Sequence, residues 1–275
     1  MASPPNPTPP TTLPNITLLC RSQTSKTAFQ TALQKYHPHL PKTTTLTIHT
    51  CSLAALPPTT KFDAIVSPAN SYGIMDGAFD DAISVLLSPN PRDPRGAGYR
   101  WVTRKVQGVL YGRWRGWAPV GSCTVVDVRR DGGWFGLCRA REVIKGEGEG
   151  DGGDGMEHKH GCKFVLVCPT MRVPREVRWD REVVFECVWA LLCAVDMHNR
   201  ECSEPRSSGS RIDTILLTPL ATGAGRISEA RWAAQCVLAM KYWLEAVEQP
   251  EKWANLSWTD VYGEIADSID QSVDL

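Results

Sequence analysis

The sequence predicts an α/β chain, a three-layer α/β/α sandwich around a mixed central sheet. Three observations predict it. Short runs rich in β-branched residues alternate with longer runs of helical periodicity. Such alternation buries its apolar faces as a sheet covered by helices on both sides. A chain of 275 residues with 42% hydrophobic content carries enough apolar material for one large core.

The strands follow in order. ITLLC at 16–20, LTIHT at 46–50, DAIVS at 63–67, TVVDV at 124–128, KFVLVC at 163–168 and IDTILLT at 212–218 are each short and β-branched. A helix over 24–35 follows the first, and one through Ile83, Leu86 and Leu87 follows the third. A long helix over 181–197 sets Val183, Val184, Cys187, Leu191, Leu192 and Val195 on one face. Ser228 can cap another, whose stripe runs through Ala230, Ala233, Ala234, Val237, Met240 and Leu244.

Composition marks the appendages. Residues 1–14 hold six prolines and few apolar side chains, so they form a disordered tail that cannot offset the entropy of ordering. Residues 146–161, GEGEGDGGDGMEHKHG, alternate glycine with acid and read as a flexible surface loop, with His158 and His160 solvated rather than metal-ligating. An acidic tail spans 249–275, where Trp258, Val261, Tyr262, Ile265 and Ile269 have the spacing of a short amphipathic helix. The domain between is 15–248, with a basic aromatic insertion at about 90–120.

Thirty basic residues balance thirty acidic ones, so no whole-chain field draws the protein to nucleic acid or anionic lipid. The ten cysteines include no CxxC pair, and no span of about 18 apolar residues occurs. Reduced, buried thiols and an intracellular location, cytoplasmic or nuclear, are the expectation, with no membrane partner. Neither a metal nor a cofactor is called for.

In α/β folds ligands sit beyond the carboxyl ends of strands, so the loops after DAIVS and ILLT are where chemistry belongs. The first reads SPANSYGIMDGAFDDAI, 67–83: Asn70 brings an amide to the mouth of the sheet, and Gly73 and Gly77 permit close approach of a ligand to backbone. Asp80 stands at the start of the next helix, where a dipole-favoured acid is equally accounted for, as Asn70 is by an Asx turn. Asp76 and Asp81 read as capping or surface carboxylates. The second loop passes through Thr222, Gly223, Ala224 and Gly225 into a helix, a place where backbone NH groups converge on an anion.

Together, in this order on this strand pattern, the two loops resemble the macro domain family, over roughly 15–248. PTMRVP at 169–174 resembles a run in a macro-like subgroup. The resemblance implies a pocket for ADP-ribose or a related nucleotide-ribose conjugate. It implies that Asn70 bonds the distal ribose and that Asp80 orients water or substrate in a hydrolase, the two forming the catalytic pair. Ala69, Gly77 and Ala78 then flank the ribose, and Thr222, Gly223, Ala224 and Gly225 hold the diphosphate. The partner implied is ADP-ribose or an ADP-ribosylated protein, and hydrolase and non-catalytic reader both remain open. This chain departs from the pattern at Ser67, where the first Asn of the motif is usual, and at Cys51, where the family often has an adenine-binding Asp; a thiol is a poor acceptor.

A competing signal lies at 92–117. Arg92, Arg95, Arg100, Arg104, Lys105, Arg113 and Arg115 interleave with Tyr99, Trp101, Tyr111, Trp114 and Trp117, the composition of a single-stranded nucleic-acid platform. The reading preferred here is that the tryptophans pack and the arginines face water. Stacking on the base of a bound nucleotide is a third reading.

Overall fold

The computed structural model describes residues 13–129, 158–204 and 209–273. Six strands form one sheet: β1 (Asn15–Cys20), β2 (Leu46–Thr50), β3 (Ala64–Ser67), β4 (Thr124–Asp127), β5 (Phe164–Val167) and β6 (Thr214–Leu217). Their order is β2-β1-β6-β3-β5-β4. All neighbouring pairs are parallel except β4 with β5, so the sheet is mixed, with an antiparallel edge.

Side-chain alternation divides the core in two. Ala64 and Val66 of β3 pack on one side with Phe29, Leu191 and Trp232. These come from α1 (Gln23–Tyr36) and two long helices labelled below, and a four-residue helix, α2 (Leu40–Thr43), adds Leu40. Ile65 faces the other way, against Ile83 of α3 (Ala78–Leu86) and Val102, Val106 and Leu110 of α4 (Trp101–Trp114). The long helices are α5 (Val183–Cys202) and α6 (Glu229–Glu248). Three layers result, as expected. The Ser22 and Ser228 hydroxyls accept from Ser25 N (3.1 Å) and Arg231 N (3.0 Å), starting α1 and α6 by capping otherwise unpaired amides.

Three expectations about the appendages change. Residues 1–12 and 146–157 lie outside the described residues, but Leu13 and Pro14 are buried, and the Pro14 carbonyl accepts the Thr44 hydroxyl at 2.9 Å. Leu13 and Pro14 therefore belong to the packed domain rather than to a tail. His160 is buried rather than solvated: its ring stacks on Phe62 and its Nδ1 lies 2.8 Å from the Thr60 carbonyl. The segment at 90–120 is more than an insertion, because α4 buries Val102, Val106 and Leu110 in the core on one side of the sheet. After Pro250, α7 (Pro250–Trp253) is followed by a non-helical stretch at 254–257, and then, where the spacing from Trp258 to Ile269 predicts a helix, by α8 (Trp258–Asp260), a π-helical turn (Val261–Ala266) and α9 (Asp267–Val273), with Ile269 buried and Asp270 paired to Arg181.

Candidate functional site

Strands β1, β6, β3 and β5 point their carboxyl ends to the same edge, and a cleft of about 450 Å³ opens there. Its walls are the segments leaving those strands: Arg21 and Ser22 after β1, Thr218 to Ala224 after β6, Pro68 to Asn70 after β3, and Thr170 and Met171 after β5. The starts of α1, α3 and α6 border it through Ser25, Gly77 and Glu229. Three helix amino ends thus turn partial positive charge toward one space.

The loop leaving β3 is held from several directions. The Asn70 amide donates to the Ile74 carbonyl at 2.8 Å, and its oxygen accepts the amides of Tyr72 (3.1 Å) and Ile74 (3.3 Å). Gly73 has φ +65°, and a Cβ there would lie 2.6 Å from Val106 and 2.8 Å from Leu110, so only glycine lets the loop lie against α4. Met75 is fixed twice: its NH donates to the Thr103 hydroxyl (3.1 Å) and its carbonyl accepts the Ser84 hydroxyl (2.6 Å). Asn70 therefore braces its own loop and retains one amide hydrogen for a ligand.

Asp80 is 5% exposed. Its Oδ1 accepts the Ser67 hydroxyl at 2.6 Å, so the carboxyl reaches back to the strand end and makes no capping bond at Gly77. Desolvation pushes its pKa up to about 7; the Ser67 bond works against that rise and the nearby Asp76 adds to it. Asp81, one residue on, is a surface carboxylate held by Arg95 (2.6 and 2.7 Å) and Tyr99 (2.6 Å), which keep its pKa low.

The loop leaving β6 is built by unusual backbone. Ala221 (φ 59°) and Arg226 (φ 57°) take the left-handed conformation, as does Ala78 (φ 48°) at the start of α3. Ala78 and Ala221 line the cleft, and strain of this kind costs about 1 kcal/mol or more per residue. The amides of Thr222, Gly223, Ala224 and Gly225 make no hydrogen bond among the described residues. Gly223 faces open space, whereas a Cβ on Gly225 would lie 2.4 Å from the Ala221 carbonyl oxygen. The second glycine is demanded by packing, the first by nothing in the fold.

Of the residues singled out in the sequence, Ala69, Asn70, Gly77, Ala78, Asp80, Thr222, Gly223 and Ala224 line the cleft, and Gly225 lies behind it. Cys51 does not line it, nor does any of residues 92–117. Ser67, Thr170 and Glu229 were not singled out for the site. Ser67 is the partner of Asp80, Thr170 is buried with a hydroxyl lacking a partner among the described residues, and Glu229 has one such carboxylate oxygen, its pKa raised by burial. Serine at the place of a usual Asn was the signal that could have found Ser67. Burial pushes the thiol of Cys20, at the end of β1, up to about 11, which leaves it inert. Among the described residues no three His, Cys, Asp or Glu converge as a metal site, and no helix is long and apolar enough to cross a membrane.

No family model matches the chain. A macrodomain of Oceanobacillus iheyensis with MES bound is similar in structure, at 13% identity and a TM-score of 0.41, over 79% of this chain and 88% of that one.

Proposed function

We propose that the cleft binds ADP-ribose or a related nucleotide-ribose conjugate, and that Asp80 makes it a hydrolase of ADP-ribosyl linkages. The observation that carries the reading is one cavity bounded on one wall by Thr222, Gly223 and Ala224, whose backbone amides have no hydrogen-bond partner among the described residues, and on another by a buried carboxyl. The amides and the helix ends suit a diphosphate, which needs donors and positive potential without a lysine. Asp80, with a pKa of about 7, is poised to give or take a proton near neutral pH. The macro-like motifs at 67–80 and 222–225 put the diphosphate against the β6 loop and the distal ribose between the β3 and β5 loops. Asp80 then orients the water or leaving group at the ribose carbon, and Ser67 holds the carboxyl in place.

A non-catalytic reader is the second reading, favoured by the hydrogen bonds that the Asn70 amide already spends inside its own loop. Calorimetry with ADP-ribose, with AMP and single-stranded RNA as controls, tests the cleft. Release of ADP-ribose from Glu-, Asp-, Ser- or Arg-linked proteins tests the enzyme. Binding without release leaves the reader; tighter binding of RNA than of ADP-ribose removes both.

A further inference from the structure

Beyond the cleft, the loops that frame its β3–β5 end carry an exposed surface to which the bound ligand would be next. The amide of Ser71 donates to the carbonyls of Met171 (3.0 Å) and Arg172 (3.3 Å), and its carbonyl accepts the amide of Ala118 (2.9 Å). Asn70 and Met171 form a parallel bridge. Three segments are thereby tied at one point, and two of them send apolar side chains outward: Tyr72 is 42% exposed and Ile74 40% on the first, Val173 37% on the second. Ile74 and Pro174 also line the cleft, so patch and cleft are continuous.

Positive charge accompanies these apolar side chains. Residues 171–181, MRVPREVRWDR, hold four arginines against Glu176 and Asp180. Arg178 is paired with Glu176 and Arg181 with Asp270. Arg172 and Arg175 are exposed and make no ion pair among the described residues. In a chain of zero formal net charge, two uncommitted guanidinium groups beside exposed apolar side chains form a local feature. Ile74 and Val173 are aliphatic and, with an arginine rim, suit a polypeptide; Tyr72 and Trp179, which is 70% exposed, are rings on which a base can stack, and an RNA arm of the test separates the two.

We infer that the surface of Tyr72, Val173, Arg172 and Arg175 docks an acidic polypeptide segment around the modified residue of an ADP-ribosylated protein. The inference rests on the ADP-ribose reading of the cleft and adds the class of protein it takes. The arginines select acidic flanking sequence by charge complementarity, and the apolar residues supply the contact area.

The test compares free ADP-ribose with three conjugates joined through a non-hydrolysable linkage: an acidic peptide, a lysine-rich peptide and a single-stranded RNA. Wild-type protein is expected to bind the acidic conjugate about tenfold more tightly than ADP-ribose, a modest coupling for two charge pairs. Arg172→Glu with Arg175→Glu should erase that gain, and Tyr72→Ser with Val173→Ser should reduce it. All should leave free ADP-ribose affinity within about twofold, since none of the four residues lines the cleft. An equal gain for the lysine-rich peptide, an equal or larger gain for RNA that is lost with added salt, or no gain at all overturns the inference while the cleft reading stands. Failure of wild-type protein to bind free ADP-ribose brings down the cleft reading and this inference with it.

Discussion

At Asp80 the carboxyl stands at about 7 because burial removes its water, and the Ser67 hydroxyl holds part of that rise back. A helix-capping aspartate would be expected to behave oppositely, with a lowered pKa and a bond to its own first turn. Asp80→Ala is therefore expected to lower turnover by ~10²-fold or more while leaving ADP-ribose affinity within a few-fold, the pattern of a group used mainly in the transition state. Ser67→Ala should move the Asp80 limb of the pH–rate profile upward, because the hydroxyl bond favours the ionised form; an unmoved limb would detach Ser67 from the reaction. The two glycines of the β6 loop separate function from packing. Gly223→Val points its side chain into open space and should abolish binding with an unchanged melting temperature. Gly225→Val meets the Ala221 carbonyl and should cost about 1–3 kcal/mol in stability, read from denaturant unfolding.

The strands were legible because β-branched runs bounded by turn residues leave few alternatives, and the observed limits lie within two residues of the expected ones. α1, α5 and α6 were legible for the same kind of reason, from capping serines or long apolar stripes. α4 was not: Gly108 and Gly112 interrupt it, arginines crowd it, and only Val102, Val106 and Leu110 mark its buried line. Its composition suggested a nucleic-acid platform, yet Arg95 and Tyr99 are spent on Asp81, and Trp114 donates to Thr124 at 2.9 Å. In the site, Asn70 and Asp80 were legible as residues but their contacts were not. Asn70 bonds to residues two and four along its own loop, and Asp80 reaches a serine thirteen positions back. Those contacts depend on loop paths that periodicity does not encode. Leu110→Ala should cost ~2–5 kcal/mol, as a cavity in a core layer does, whereas a dispensable insertion would lose little. RNA affinity should be weak and unaffected by Arg104→Ala; a steep salt dependence from tight binding at low salt would restore the nucleic-acid reading.

On the scale of the whole molecule, the cleft joins loops from four strands, so its electrostatics feed into the stability of the entire sheet. Asp80 is one group through which pH acts on that stability. Its folded-state pKa of about 7 lies above the 3.8 of an ordinary aspartate, so between those values the native state binds more protons than the unfolded state. Stability must then fall as pH rises from about 4 to about 7 and level off above, by an amount on the order of a few kcal/mol. The sign is opposite to that of a salt-bridged aspartate, which gains stability over a rise in pH. Asp80→Asn removes the titration, and its unfolding free energy should be flatter over that window and higher than wild type at pH 8. A bound diphosphate adds negative charge near the same carboxyl and favours its protonated form, so ADP-ribose should bind more weakly as pH rises through 7, and the Asn variant should lose that dependence. Chemical denaturation and calorimetry of both proteins at pH 5, 7 and 8.5 measure the two effects together. Parallel pH profiles for wild type and variant would mean that Asp80 is ionised in the folded protein and that the cleft holds its charge by another route.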